Sequence, residues 1–143
     1  MAQNHGPRRQ ARELSLQVLF QREFVSDLSI EEHLETFKSH VQAPLEAWNY
    51  AEFLLQGVTS HQTEIDALIE AHSAHWKIPR MALVDLTLMR MAVFEIHFSN
   101  GAVPPKSALN EAIEISKKYG STESASFVNG VLDQILKQAQ HEL

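Results

Sequence analysis

Apolar residues recur three and four apart through nearly the whole chain, the spacing of amphipathic helices, and no segment combines strand alternation with β-branched enrichment and turn signals. A first helix is predicted from Pro7, a residue suited to the first helical position, with Ala11, Leu14, Val18 and Val25 on one side and Leu16, Phe20 and Phe24 nearby. Ser29-Ile-Glu-Glu32 has the form of a capping box opening a short second helix. Pro44 opens a long one, whose apolar stripe runs through Ala51, Leu54, Leu55, Val58, Ile65, Leu68, Ile69 and His72. Gly57 and the polar stretch Thr59 to Thr63 mark a kink or a division in it. Pro79 opens a segment that is apolar almost all round, from Met81 to Ile96; a helix without a polar face is normally central in a fold. Asn100-Gly101 ends it, and Pro104-Pro105 opens the next. That helix ends with Lys117 and Lys118 against the negative end of the dipole and with Gly120 as a left-handed stop. The last helix spans Thr122 to about Ala139. The prediction is an all-α domain over residues 1–143, with an arginine-bearing arm at about 1–12 and helical halves at about 7–76 and 79–140, jointed around His75 to Pro79.

The final helix contains an anomaly, Asn129-Gly130 within Phe127-Val-Asn-Gly-Val-Leu-Asp133. A glycine in mid-helix costs about 1 kcal/mol relative to alanine. The expectation is a close approach to that backbone by a packed helix or a ligand.

A chain of 143 residues fits one domain. Without cysteine there is no disulfide framework, thiolate metal site or cysteine nucleophile. The N-terminus has no apolar run of the secretory kind, and the most apolar stretch, Leu86 to Phe98, is short for a membrane span and contains Arg90 and Glu95. A cytoplasmic protein without a membrane partner is expected. The net charge is −6, but residues 1–12 carry +3, residues 13–76 carry −9 and residues 77–143 are neutral. The basic tip suits a polyanion, and the acidic middle suits a basic protein or is a solvated surface.

Arg8 and Arg12 lie one helical turn apart, so they repel, and both sit at the positive end of the dipole. Phosphates pairing with Arg8, Arg9 and Arg12 would relieve both costs; the alternative is an ordinary exposed cluster. Val128, Val131, Leu132 and Ile135 already make a core stripe, which puts Phe127 at its margin, where an aromatic can stack on an unpaired base. Lys117, Lys118 and Tyr119 would lie close by in a helical hairpin. Asp85, Arg90 and Glu95 interrupt the apolar helix on different faces; a structural pair is expected for Glu95, while Asp85 and Arg90 can reach a surface groove. His72 and His75 are spaced three apart, but no His-Glu-x-x-His pattern supports a zinc site, and no Gly-x-Ser-x-Gly elbow or phosphate-cradling loop supports catalysis. No metal, cofactor or catalytic residue is expected.

Four stretches taken in order, Arg8-Arg-Gln-Ala-Arg-Glu-Leu-Ser-Leu-Gln-Val-Leu-Phe-Gln21, Leu88-Met-Arg-Met-Ala-Val-Phe-Glu95, Asn110 to Gly120 and Phe127 to Asp133, resemble the NusB family of bacterial transcription antitermination factors. The resemblance runs from about Pro7 to Ile135 and implies a compact bundle of about seven helices in two packed subdomains. It implies a non-enzymatic factor that binds single-stranded boxA-type RNA of nascent ribosomal transcripts, together with the NusE ribosomal protein and the RNA polymerase antitermination complex. It places RNA contacts on Arg8, Arg9, Arg12, Asp85, Arg90 and Phe127, with Lys117, Tyr119 and Glu123 as neighbours. The alternatives are an N-terminal domain related to that of rRNA cytosine methyltransferases, set against by the chain's end at Leu143 with no cofactor-binding sheet, and a protein-only scaffold, homodimeric through the apolar helix.

Overall fold

The structure, a computed structural model, describes residues 6–74 and 76–141. His75 and the first five residues of the arm therefore lie outside the described part. Among the described residues there are seven α-helices and no strand: α1 (Gly6–Arg22), α2 (Ile30–Lys38), α3 (Leu45–Ser60), α4 (Gln62–His72), α5 (Leu83–Val93), α6 (Pro105–Tyr119) and α7 (Thr122–His141). The chain divides into two compact units, Met1–Gln56 and Gly57–Leu143. The division falls within α3 rather than in the joint at 75–79, because α4 packs against α5 and α7 and so belongs with the second unit.

In the first unit, Ala11 of α1 meets Ala47 and Ala51 of α3, three fully buried small residues that let the two backbones come close. The buried Ser15 hydroxyl donates to the Ala51 carbonyl across the same contact. The capping box forms as expected: the Ser29 hydroxyl accepts from the Glu32 N–H at 3.1 Å, and the Glu32 carboxylate accepts from the Ser29 N–H at 2.9 Å. The α1–α2 loop is tied down by buried His33, whose Nε2 lies 3.0 Å from the Val25 carbonyl as its donor.

In the second unit α5 is the central element, packed against α4, α6 and α7, with every residue from Asp85 to Glu95 buried. It begins later than Pro79. Residues Ile78–Arg80 form a 3₁₀ turn, closed by Arg80 N–H to the Lys77 carbonyl, and Met81 and Ala82 are extended before the helix starts at Leu83. After Val93 the helix widens into a π turn, Phe94–Phe98, and then stops where Asn100 and Gly101 both take positive φ, 54° and 80°.

Two glycines behave differently from expectation. Gly120 is not left-handed; at φ −124°, ψ −154° it is extended. What it supplies is room, since a Cβ there would lie 3.0 Å from the Ser124 Cβ and 3.1 Å from the Ser116 carbonyl. Gly130 is exposed, and among the described residues nothing lies within 4 Å of where its Cβ would be, so no packed helix accounts for it. The close approach occurs at Gly57 instead, against the ring of Phe94.

Candidate nucleic-acid interface

The second unit carries a cleft of about 350 Å³ where the segment before α5 meets the start of α7. Its floor is Asp85, in the first turn of α5 and only 7% exposed. Its aromatic wall is Phe127 and Trp76, edge to face with ring centroids 6.4 Å apart and planes at 75°. Arg80 from the 3₁₀ turn and Glu123 from the first turn of α7 complete the rim. The start of α7 is fixed by Ser121, whose hydroxyl accepts from the Ser124 N–H at 3.0 Å, and Ser124 lines the cleft beside Asp85.

Burial pushes the Asp85 carboxyl above its ordinary range, and the Ser124 hydroxyl offsets this only in part. A carboxyl raised in the folded state binds its proton more tightly there than when unfolded. Its burial therefore begins to cost stability as pH rises past the ordinary carboxyl value, and the whole cost is present above the raised folded one. Asp85→Asn, which removes the charge, is expected to raise the melting temperature relative to the native protein at neutral pH. The gap should close once the pH falls below the ordinary carboxyl range, where the group is protonated folded and unfolded alike. A gap of equal size at both pH values would show that desolvation of this charge is not what the fold tolerates.

The expected site residues divide by unit. In the second, Asp85, Glu123 and Phe127 come together in the cleft. Phe127 is half-buried at the edge of the Val128, Val131, Leu132 and Ile135 stripe, as helical geometry requires. Arg90 does not line the cleft. Its Nε donates to Asp66 Oδ1 at 2.8 Å and its Nη2 to Asp66 Oδ2 at 2.9 Å, a forked pair to α4 with the Arg90 side chain 10% exposed. That placement supports a structural role rather than the reading of base edges. Lys117 and Tyr119 stand at the exposed end of α6, outside the cleft wall; Lys117 pairs with Glu114 at 3.4 Å, and the Lys118 ammonium lies 5.4 Å from the Tyr119 ring. Glu95, expected in a structural pair, is buried.

In the first unit, Arg8 is exposed, Arg9 half-buried and Arg12 buried on α1. Arg8 and Arg12 do more than repel each other: both guanidinium groups lie over the ring of Tyr50, at 4.7 and 5.7 Å. Arg8 also lines a second cleft of about 400 Å³ with Glu46, Tyr50 and Phe53.

Sequence reasoning missed Trp76, Arg80 and Tyr50. Trp76 carried a signal, being an aromatic in a polar joint outside any apolar stripe, and it is 51% exposed. Arg80 follows a proline in the same joint. Tyr50 gave none, because a tyrosine beside the alanine stripe of α3 looks like ordinary core margin. Among the described residues no group of three or more His, Asp or Glu side chains is placed to hold a metal ion, and no helix is long and apolar enough to cross a membrane.

The model of the NusB family matches residues 9–137. The transcription antitermination protein NusB of Bdellovibrio bacteriovorus is 48% identical over 130 residues, covering 91% of this chain and 95% of that protein. The solved structure of T. maritima NusB is similar with a TM-score of 0.82 and 33% identity, over 96% of this chain and 99% of that one. A structure of the antitermination factors NusB and NusE in complex with dsRNA contains a chain similar at a TM-score of 0.81 and 28% identity, over 92% of this chain and 97% of that one.

Proposed function

This chain belongs to the NusB family, and from that premise we propose that it is a non-enzymatic transcription antitermination factor. It binds boxA-type RNA of nascent ribosomal transcripts in the cytoplasm, as the partner of a NusE ribosomal protein within the antitermination complex of RNA polymerase. The similar proteins are antitermination factors, so the methyltransferase-domain and scaffold readings are not favoured.

The observation that carries the reading at the level of side chains is the cleft of the second unit. It joins two exposed or half-exposed aromatic rings to a buried carboxyl and a rim arginine. Double-stranded RNA keeps its base faces stacked, whereas an unpaired base offers a face to Phe127 and an edge to Asp85. Arg80 takes a neighbouring phosphate. Arg8 and Arg9 on the first unit supply further phosphate contacts, which carry the salt-dependent part of affinity. Lys117 and Tyr119 are assigned an outer, weaker contribution.

The test is binding of a short single-stranded boxA-type RNA, a scrambled strand and the boxA-type strand annealed to its complement, across a salt series, with and without the NusE protein. The expected order is boxA-type strand first, with NusE strengthening it. Phe127→Ala should weaken that binding by about 1–3 kcal/mol, the range of a lost stacked base, with the salt slope unchanged because no phosphate contact is removed. Preference for the annealed duplex would replace the single-strand reading; equal binding of boxA-type and scrambled strands would remove base recognition from the cleft.

A further inference from the structure

Tyr50 is where the arginine end of the first unit departs most from simple electrostatics. Arg8 and Arg12 are like charges one turn apart at a helix N-terminus, an arrangement that on its own spreads the two side chains away from each other. Here they share one aromatic ring: Arg8 lies 4.7 Å and Arg12 5.7 Å from the centroid of Tyr50. Both distances fall within the range in which a ring quadrupole attracts a guanidinium. The ring itself is held, packed against the Ala11–Ala47–Ala51 contact between α1 and α3 and 5.5 Å from the ring of Phe53. One guanidinium is buried, with Arg12 5% exposed, while Arg8 is exposed at the mouth of the cleft.

We propose that Tyr50 is a positioning residue for RNA binding, holding the Arg8 guanidinium over its ring so that its fork is oriented for a phosphate before RNA arrives. The inference rests on the reading of Arg8 as a phosphate contact. An arginine loses much rotamer freedom when it is fixed, and a site that fixes it in the unbound protein leaves less to lose on binding. Tyr50 makes no phosphate contact of its own in this scheme, so its removal changes how well Arg8 is placed and leaves the number of phosphates engaged unchanged.

The experiment compares the full chain with Tyr50→Phe, Tyr50→Leu, Arg8→Ala and the Arg8→Ala/Tyr50→Leu double variant. The probe is the single-stranded boxA-type RNA. Ring-current shifts of the Arg8 side-chain methylene protons, read by NMR without RNA, should persist in Tyr50→Phe and disappear in Tyr50→Leu. Affinity should be kept in Tyr50→Phe and fall roughly three- to ten-fold in Tyr50→Leu, with the same salt slope. The double variant should bind scarcely more weakly than Arg8→Ala alone. If the penalties of the two single variants multiply in the double, Tyr50 acts independently of Arg8 and the inference is overturned. If the ring-current shifts are present in Tyr50→Leu, the geometry itself is wrong. If Arg8→Ala leaves affinity and salt slope unchanged, the phosphate reading of Arg8 fails first, whatever the NMR shows.

Discussion

Gly57→Ala is expected to destabilise the second unit by several kcal/mol, even though alanine is the better helix former. Propensity alone favours alanine by about 1 kcal/mol in a helix interior. Against that, a Cβ at Gly57 would lie 2.1 Å from two carbons of the Phe94 ring and 2.7 Å from a third. Such distances require the ring or the backbone to move. The ring has little room, since Phe94 is 3% exposed and heads the π turn at the end of the central helix. Overpacking of this kind typically costs about 1–3 kcal/mol where a core can adjust and more where it cannot. The measurement is denaturant unfolding of the native protein, Gly57→Ala and Gly57→Ala/Phe94→Leu. The single variant should lose stability, and the double variant should recover part of it because the smaller side chain clears the added methyl. A single variant as stable as the native protein would show that the ring shifts freely and that the glycine is not needed for close packing. At this residue the propensity rule and the packing rule give opposite signs.

The same pair shows how far the chain could be read in advance. Helix positions followed from periodicity, capping and proline placement, all local signals that each helix carries within itself; the Ser29 to Glu32 box is the clearest case. The α3–α4 break was legible because Gly57 and the polar run after it interrupt a stripe, and His61 does divide the two helices. What could not be read was which glycine answers a neighbour. Gly57 and Gly130 are both glycines inside helices, and only the partner helix distinguishes the buried one from the exposed one. The start of α5 was misplaced for a related reason: Pro79 is as acceptable in a 3₁₀ turn as at a helix start, and the extended residues Met81 and Ala82 have no local signature. At the site, Phe127 was legible as a residue left over from a core stripe. Trp76 and Arg80 came from a segment with no periodicity to be left over from. Tyr50 needed the alanine contact between α1 and α3, a long-range feature, before its ring could be seen under the arginines.

The forked pair between Arg90 and Asp66 decides between two roles for Arg90, and breaking it should have the other large effect. The two hydrogen bonds, 2.8 and 2.9 Å, match the planar fork to the carboxylate plane, and Asp66 is 24% exposed against 10% for Arg90. Removing one member of a buried pair leaves a charge without its counter-charge, which costs about 3–5 kcal/mol when burial is complete; the partial exposure of Asp66 puts the expectation near the lower end. Asp66→Ala and Arg90→Ala should therefore both destabilise strongly, and a double variant with both alanines should lose less than the two single losses combined, because neither charge is then left alone. RNA affinity supplies the discrimination. If Arg90 only holds α4 to α5, both single variants keep their RNA affinity at temperatures where they remain folded, with equal salt slopes. If Arg90 instead contacts RNA, Arg90→Ala loses affinity under those conditions and Asp66→Ala does not, since the latter leaves the guanidinium in place and releases it from its carboxylate. The geometry predicts the first pattern: both nitrogens that the fork offers are turned to Asp66, and none of the residues lining the aromatic cleft is Arg90. On that outcome the charged groups of the cleft are Asp85, Arg80 and Glu123, and Arg90 ties α5, the helix on which Asp85 stands, to α4.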